Sequence, residues 1–329
     1  MNRRTIISGT VWGQTFSRCY AESMTVELHE SQFPYASGDG TSIAGYRWQG
    51  RSVRGIVQIA HGMGEHAGRY RRAAKALVAA GYAVYANDHR GHGHSAEHRA
   101  ALGDFGPQGF AALAQDMAAL TRLAKAEQPG CPVFLFGHSM GSLAAQLYVL
   151  DHSSLISGLV LSGTAAFDLR AAARVGGASK LEDNNAQFEP GRTPFDWLSR
   201  DAVEVDAYIA DPLCGFTVTA PAARSMAPSI ALIAEPLQLK RIRSELPIYL
   251  LTGDRDSVNH NLRWFYPLIE RYRDAGLTDV SCHIYGAGRH EMLNETNRDE
   301  VTTNLIAWMD RVLAGCSDPG PGGLHTGKE

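Results

Sequence analysis

Gly137-His138-Ser139-Met140-Gly141 has the spacing G-x-S-x-G. The apolar run Val133–Phe136 precedes it, and the helix-compatible run Ser142–Leu150 follows it. Strand, sharp turn and helix are the setting of a nucleophile elbow, in which a strained turn lifts a serine Oγ above a sheet. Side chains two positions to either side would collide there, which explains the two glycines. The helix N-terminus beyond the turn favours developing negative charge. The chemistry this predicts is acyl transfer through a covalent intermediate on Ser139.

Attack on a carbonyl leaves an oxyanion, which two backbone N–H groups must meet. One comes from the residue after the nucleophile, Met140. The other is expected from a loop after the third strand, where His61-Gly62-Met63-Gly64 stands, so Met63 is the second candidate. His61 itself reads as a structural histidine.

A serine nucleophile needs a histidine base, held in one tautomer by a carboxylate. In elbow-type enzymes the chain order is serine, acid, histidine. Asp254 and Asp256 follow the apolar run Pro247–Thr252, and His290 follows Val280–Tyr285. Asp256 is preferred because the turn reads Gly253-x-x-Asp, and Asp254 stays as the alternative. His283 lies within a strand-like run and His260 reads as surface.

These residues need a scaffold that holds them at loop ends. Strand-like and helix-like segments alternate through most of the chain, which predicts a mostly parallel sheet covered by helices, an α/β fold. Thr25–Glu30 and Ser42–Gln49 read as an early antiparallel pair. Gly55–Ala60, Tyr82–Ala86, Val133–Phe136, Leu159–Ser162, Pro247–Thr252 and Val280–Tyr285 read as strands. Helical spacing covers Arg69–Ala80, Gly109–Glu127, Ser142–Leu150, Leu262–Asp274 and Val301–Leu313. Residues 165–242 break the rhythm and read as a helical cap inserted between two strands, since a structureless loop of that length is improbable. The core is then 24–164 with 243–314. Residues 1–23 are expected to be a disordered extension or the product of an upstream start codon, and the Gly/Pro-rich 315–329 a flexible tail.

The 329 residues are 44% hydrophobic and 20% charged, enough to bury a core of one large domain with an insertion. A net charge of −3 with no Lys/Arg run argues against nucleic acid as a partner. The five cysteines are odd in number and contain no C-x-x-C pair, so neither a disulfide framework nor a zinc site is expected, and a cytoplasmic protein is. No apolar run approaches the ~18–20 residues of a spanning helix. The stretch after Arg3 and Arg4 is a poor signal peptide, because Ser8, Gly9, Thr10 and Gly13 dilute it.

Four motifs occur together: H-G-M-G-E-H with the following R-Y, D-H-R-G-H-G-H-S, G-H-S-M-G-S and R-H-E-M-L-N-E. Over residues 25–314 the chain thereby resembles the monoacylglycerol lipase and lysophospholipase group of α/β-hydrolases. The resemblance implies an eight-stranded core, a helical cap, no cofactor, a Ser139–Asp256–His290 triad and an acyl pocket beneath the cap. It implies cleavage of an ester whose alcohol part is small and polar. By position in the shared motifs, Glu65 and Arg69 are expected at the mouth of the site, with an ion pair fixing the loop as the equal alternative. His138 is expected to touch substrate, Asp88 and Arg90 to brace the loop beside the oxyanion hole, and His92 and His94 to be structural.

The cap is where substrate choice is expected. Between Leu181 and Asp211 stand eight acids (Glu182, Asp183, Glu189, Asp196, Asp201, Glu204, Asp206 and Asp211) against Arg192 and Arg200. They read as a solvated helix face or as recognition of a cationic group such as a peptide N-terminus. Phe188 and Trp197, among other apolar cap residues, either line an acyl pocket or hold the cap down. The expected substrate is a small acyl ester, with transient lipid-surface contact through the cap. An aminopeptidase or amidase on the same triad is the enzymatic rival, and a ligand receptor or scaffold the non-enzymatic one. Dehalogenases and epoxide hydrolases need an aspartate where Ser139 stands.

Overall fold

The computed structural model describes residues 28–173 and 180–316, so the expectations for residues 1–23 and for most of the 315–329 tail lie outside the described residues. The described chain forms an eight-stranded sheet. Its strands are β1 (His29–Ala36), β2 (Ser42–Gln49), β3 (Gly55–Ala60), β4 (Tyr82–Asn87), β5 (Val133–His138), β6 (Gly158–Ser162), β7 (Ile248–Gly253) and β8 (Val280–Tyr285). Their order is β1-β2-β4-β3-β5-β6-β7-β8. β1 pairs antiparallel with β2 and β2 with β4, and the remaining pairings are parallel.

Strand β1 sits later than the alternation of Thr25–Glu30 suggests. The tight connection after Ala36 sets the register, pairing Ala36 with Ser42 and Pro34 with Ala44. Pro34 is tolerated because β1 is an edge strand, with no second neighbour among the described residues to receive a missing N–H.

Strands β3 to β7 are buried along their whole length. They must therefore be apolar on both faces, as parallel strands covered by helices are. The two-residue period sorts their side chains. Val133 and Leu135 enter one buried cluster, and Phe134 and Phe136 enter the other. The first cluster is closed by α2 (Ala111–Glu127), α3 (Met140–His152) and α8 (Tyr266–Asp274), the second by α1 (Arg71–Ala79) and α9 (Arg298–Cys316).

Between β6 and β7 the chain builds α4 (Phe167–Ala172), a run of 3-10 turns (Leu181–Phe188), α5 (Ala202–Ala210), α6 (Ala220–Ala234) and α7 (Pro236–Leu239). Local sequence explains the starts. Asp201 caps α5 by accepting from Val203 N–H (3.0 Å), and Thr219 caps α6 by accepting from Ala222 N–H (3.3 Å). These inserted elements do not form a separate core. Phe167, Leu181, Trp197, Tyr208 and Ile233 belong to the same buried cluster as Leu135 and Leu143. No helix among the described residues is long and apolar enough to cross a membrane.

Candidate active site

Ser139 stands between the end of β5 and the start of α3 with φ 51° and ψ −117°. For a residue with a Cβ this backbone is strained, by about 1–3 kcal/mol. Its surroundings leave no room for relaxation by side chains at the flanking glycines. A Cβ on Gly137 would lie 2.7 Å from Gly141 O, and one on Gly141 would lie 2.2 Å from Ala60 O. The elbow is thus wedged between β3 and α3, and the serine carries the strain.

His290 Nδ1 lies 3.0 Å from Oδ1 and 3.1 Å from Oδ2 of Asp256. Both side chains are buried. Burial pushes the Asp256 carboxyl up, but the His290 ring and the Val258 N–H (2.8 Å) outweigh it and hold the group below the usual carboxylate range. Asp254 makes no such contact, and its Oδ1 has no partner among the described residues. His290 Nε2 is buried and has no hydrogen-bond partner among the described residues, which leaves one ring nitrogen as an available acceptor. The ring lies between His138 (centroids 4.6 Å) and Trp197 (5.0 Å).

Two close approaches bring the Ser139 turn and His290 to one place. A Cβ on Gly163 would lie 2.7 Å from His290 Cε1 and 2.8 Å from His138 Cε1. A Cβ on Gly62 would lie 3.2 Å from both Ser139 Cβ and His138 Cδ2. His283 instead stacks on Tyr285, and His260 on Trp264.

The loop after β3 has its amides sorted. Gly62 N–H donates to Glu65 Oε1 (2.5 Å) and Gly64 N–H to His92 Nε2 (3.3 Å). Met63 N–H, between them, has no acceptor among the described residues. Met140 opens α3, so its N–H is one of the helix amides without an intrahelical acceptor. Met63, Met140 and Ser139 line one cavity of about 270 Å³. Such an arrangement can hold an oxyanion over the serine.

Buried imidazoles hold this loop. His61 Nε2 accepts from His89 N–H (2.9 Å), while His61 Nδ1 faces Gly62 O (2.8 Å). These partners fix the proton on Nδ1. His92 repeats the pattern, with Nδ1 facing Arg90 O (3.0 Å). Burial pushes His61 well below its ordinary value, His92 down to about 4 and His89 to about 3, so all three are neutral acceptors. His94 is exposed. Asp88 accepts from Ala67 N–H (2.8 Å) and His94 N–H (2.7 Å). Arg90 is clamped by Asp116 and Asp39.

Of the residues expected to touch substrate, Trp197 lines the cavity; Glu65, Arg69, His138 and Phe188 are set back from it. Glu65 and Arg69 belong to a buried bridge. Arg69 Nη1 donates to Glu65 Oε2 (2.6 Å) and Glu291 Oε1 (2.6 Å), and its Nη2 to Glu291 Oε2 (2.8 Å). Their charges meet each other and Glu291 there, which is the geometry of the loop-fixing alternative. His138 is held beside His290 and Ser162, and Phe188 lies under the Arg289 guanidinium at 4.4 Å. Glu291 was not among the expected site residues. Its signal was its place directly after the base, since a buried glutamate must find a cation.

Seven of the eight cap acids are engaged with cations or with local N–H groups, and the eighth, Glu182, has a buried Oε2 with no partner among the described residues. Asp201 pairs with Arg298 (2.6 Å), Glu204 with Arg72, Asp206 with Arg192 (2.6 Å) and Asp211 with His66 (3.0 Å). Asp196 and Glu189 accept from neighbouring Arg192 and Gly191 N–H groups. None of the eight lines the cavity. His66, Asp211 and Cys214 lie close enough to share a metal ion. However, His66 Nδ1 accepts from Gly68 N–H (3.2 Å), which places its proton on Nε2 toward Asp211. His66 and Asp211 thereby join the loop after β3 to the segment after α5.

Comparison with known proteins places this geometry in context. The profile of the family described as serine aminopeptidase, S33, matches residues 51–297. A monoacylglycerol lipase of Mycolicibacterium smegmatis is 30% identical over 287 residues, covering 86% of this chain and 98% of that protein. The monoglyceride lipase of Homo sapiens is 29% identical over 277 residues, covering 81% and 86%. Among solved structures, a thermostable carboxyl esterase from Bacillus coagulans in complex with glycerol superposes with a TM-score of 0.76 at 28% identity, covering 86% of this chain and 99% of that one.

Proposed function

The chain belongs to the serine aminopeptidase S33 family of α/β-hydrolases, in its monoacylglycerol lipase group, and we propose that it hydrolyses monoacylglycerol, lysophospholipid or similar small acyl esters. Ser139 attacks the ester carbonyl while His290 takes its proton through Nε2. Asp256 holds the imidazole by Nδ1 and stabilises the imidazolium. The Met63 and Met140 amides receive the oxyanion. The bond to the alcohol breaks, His290 returns the proton to the leaving oxygen, and water then hydrolyses the acyl-enzyme by the same route. No metal or organic cofactor enters any step.

The observation that carries this reading is the buried His290–Asp256 pair, with one ring nitrogen unpartnered among the described residues beside a strained serine turn. Aminopeptidase action is the weaker reading. It calls for a carboxylate to meet a cationic N-terminus, and among the described residues the ionisable groups lining the cavity beside Ser139 are Arg170 and Lys180. The test is a substrate panel: nitrophenyl esters of rising chain length, monoacylglycerol, lysophospholipid and a proline arylamide. Ester cleavage is expected, and arylamide cleavage without ester cleavage would reverse the choice.

A cytoplasmic protein is part of the same proposal, supported by Cys131, Cys214 and Cys282 standing as free thiols. So is transient contact with a lipid surface through the cap, supported by exposed Val203, Ile209, Leu232 and Leu237 on α5, α6 and α7.

A further inference from the structure

The imidazole proposed as the base meets a ring that belongs to the cap. Trp197, between the run of 3-10 turns and α5, is buried and sets its indole against His290, with ring centroids 5.0 Å apart and planes tilted by 41°. This is inside the ~6 Å over which an aromatic ring attracts a cation. Trp197 also lines the cavity that holds Ser139. Its Nε1 has no hydrogen-bond partner among the described residues. A buried indole usually finds one, so a bond at Nε1 is not what decides where this ring sits.

The main chain decides it. The cap segment 196–200 runs along the segment 289–295. Glu291 N–H donates to Leu198 O (2.8 Å) and His290 N–H to Trp197 O (3.4 Å). Ser199 Oγ donates to Asn294 O (2.8 Å), and Arg289 Nη1 to Ser199 O (3.1 Å). The buried Glu295 carboxylate closes the seam. It accepts from Arg289 N–H (2.9 Å) on one side, and from Arg200 N–H (3.1 Å) and Nε (2.9 Å) on the other. Indole and imidazole are therefore carried by one hydrogen-bonded seam, and their contact is built into the fold. Groups fixed in advance around a developing charge need no rearrangement during reaction.

In the proposed mechanism His290 turns cationic each time it takes a proton from Ser139 or from water. Asp256 meets that charge at Nδ1 (3.0 and 3.1 Å). His138, the other ring against His290, is driven down to about 3 by burial, so it is neutral and opposes no positive charge. The indole supplies an electron-rich ring in a site closed to water, where such a contact is strongest.

We infer that Trp197 is a positioning residue of the reaction, whose indole holds the His290 ring and stabilises its imidazolium form by a cation–π contact. The cap then serves the base as well as enclosing the cavity. The inference rests on the ester-hydrolase reading and adds a cap residue to its machinery.

Trp197→Leu, Trp197→Met and Trp197→Phe test it beside the parent chain on 4-nitrophenyl acetate and 4-nitrophenyl octanoate, with circular dichroism on each protein. Acylation and deacylation both pass through the charged ring. Trp197→Leu and Trp197→Met are therefore expected to lower kcat and kcat/KM by one common factor, roughly tenfold, on both esters. Trp197→Phe keeps a ring and gives up no hydrogen bond, so it is expected to recover most of that loss. Fluorinated tryptophan incorporated throughout the chain keeps the shape of the indole and withdraws electron density from its face. It is expected to lower kcat on both esters in the parent chain and to leave Trp197→Phe unmoved, a comparison that holds even where the leucine and methionine variants do not fold. A loss confined to the octanoate, or carried by KM alone, would make Trp197 a wall of the cavity only and overturn the inference. A phenylalanine variant no better than leucine, or a parent chain indifferent to fluorination, would overturn it too, and ester hydrolysis would stand in each case. If the parent chain cleaves neither ester, the ester-hydrolase reading falls and takes the inference with it.

Discussion

Arg69 grips Glu291, the residue directly after His290, with both guanidinium arms at 2.6 and 2.8 Å. The same guanidinium donates to Glu65 (2.6 Å), whose other oxygen receives the Gly62 N–H (2.5 Å). One buried cation therefore ties the segment that carries His290, the proposed base, to the loop that carries Met63, the proposed oxyanion donor. Burial pushes Glu65 up and Arg69 pulls it back, with Glu291 opposing; Glu291 is driven down to about 2, Arg69 outweighing its burial. Arg69→Lys keeps a charge and loses the fork. Its expected effect is a loss of roughly tenfold to a hundredfold in kcat/KM, since small misplacements of reacting groups cost that much. Kinetics on a nitrophenyl ester, with thermal melting to confirm folding, checks it. An unchanged kcat/KM would show that the bridge does not position the site.

In the proposed mechanism the Asp256 carboxylate makes His290 a base by holding Nδ1–H. Asp256→Asn presents an amide that can donate toward Nδ1 and favours the wrong tautomer. The expected loss in kcat is about 10⁴-fold with the fold intact. Asp254→Asn serves as the comparison and is expected to lose far less. Equal losses would mean that the two acids act together.

Acid should loosen the loop before it titrates the carboxylates. His92 and His89 are held near 4 and 3, below their ordinary 6.5, by burial. The folded chain therefore binds fewer protons than the unfolded chain between about pH 4 and 6.5, and stability falls as pH drops through that window. Lowered carboxylates such as Glu291 act in the same direction only below about 4.5, their ordinary value. Urea unfolding at intervals from pH 7 to 5 is expected to show a slope of ~1 kcal/mol per pH unit for each such histidine. His92→Gln should make the slope shallower by about one proton. A flat profile over that range would contradict imidazoles that stay neutral in the folded chain.

Arg90 and Asp116 form a buried pair in which Nε donates to Oδ2 (2.6 Å) and Nη2 to Oδ1 (2.7 Å). Removing the acid leaves a buried guanidinium short of its partner. Asp116→Ala is expected to cost about 3–5 kcal/mol in unfolding free energy. Chemical denaturation measures this directly, and a cost under about 1 kcal/mol would show that Asp39 and water suffice for Arg90.

The strained turn at Ser139 and the parallel sheet were legible because each depends on local pattern. Gly137, Ser139 and Gly141 announce a strained turn, and an unbroken apolar run announces a strand covered on both faces. What was not legible depends on contacts between distant residues. Asp201 and Arg298, or Arg69 and Glu291, are far apart in the chain, and nothing in either segment names its partner. The cap acids accordingly read as a patch, whereas folding pairs Asp201, Glu204, Asp206 and Asp211 with separate cations. Strand β1 was displaced for a similar reason. Thr25–Glu30 alternates better than His29–Ala36, but hairpin pairing with β2 decides the register.

The most direct measurement of the central claim is turnover of 4-nitrophenyl butyrate by Ser139→Ala beside the parent chain, with circular dichroism on both. With the nucleophile gone and the fold retained, kcat is predicted to fall by about 10⁶-fold, to what the oxyanion amides and substrate binding supply alone. A folded Ser139→Ala chain that kept the parent's rate would place the chemistry on another residue.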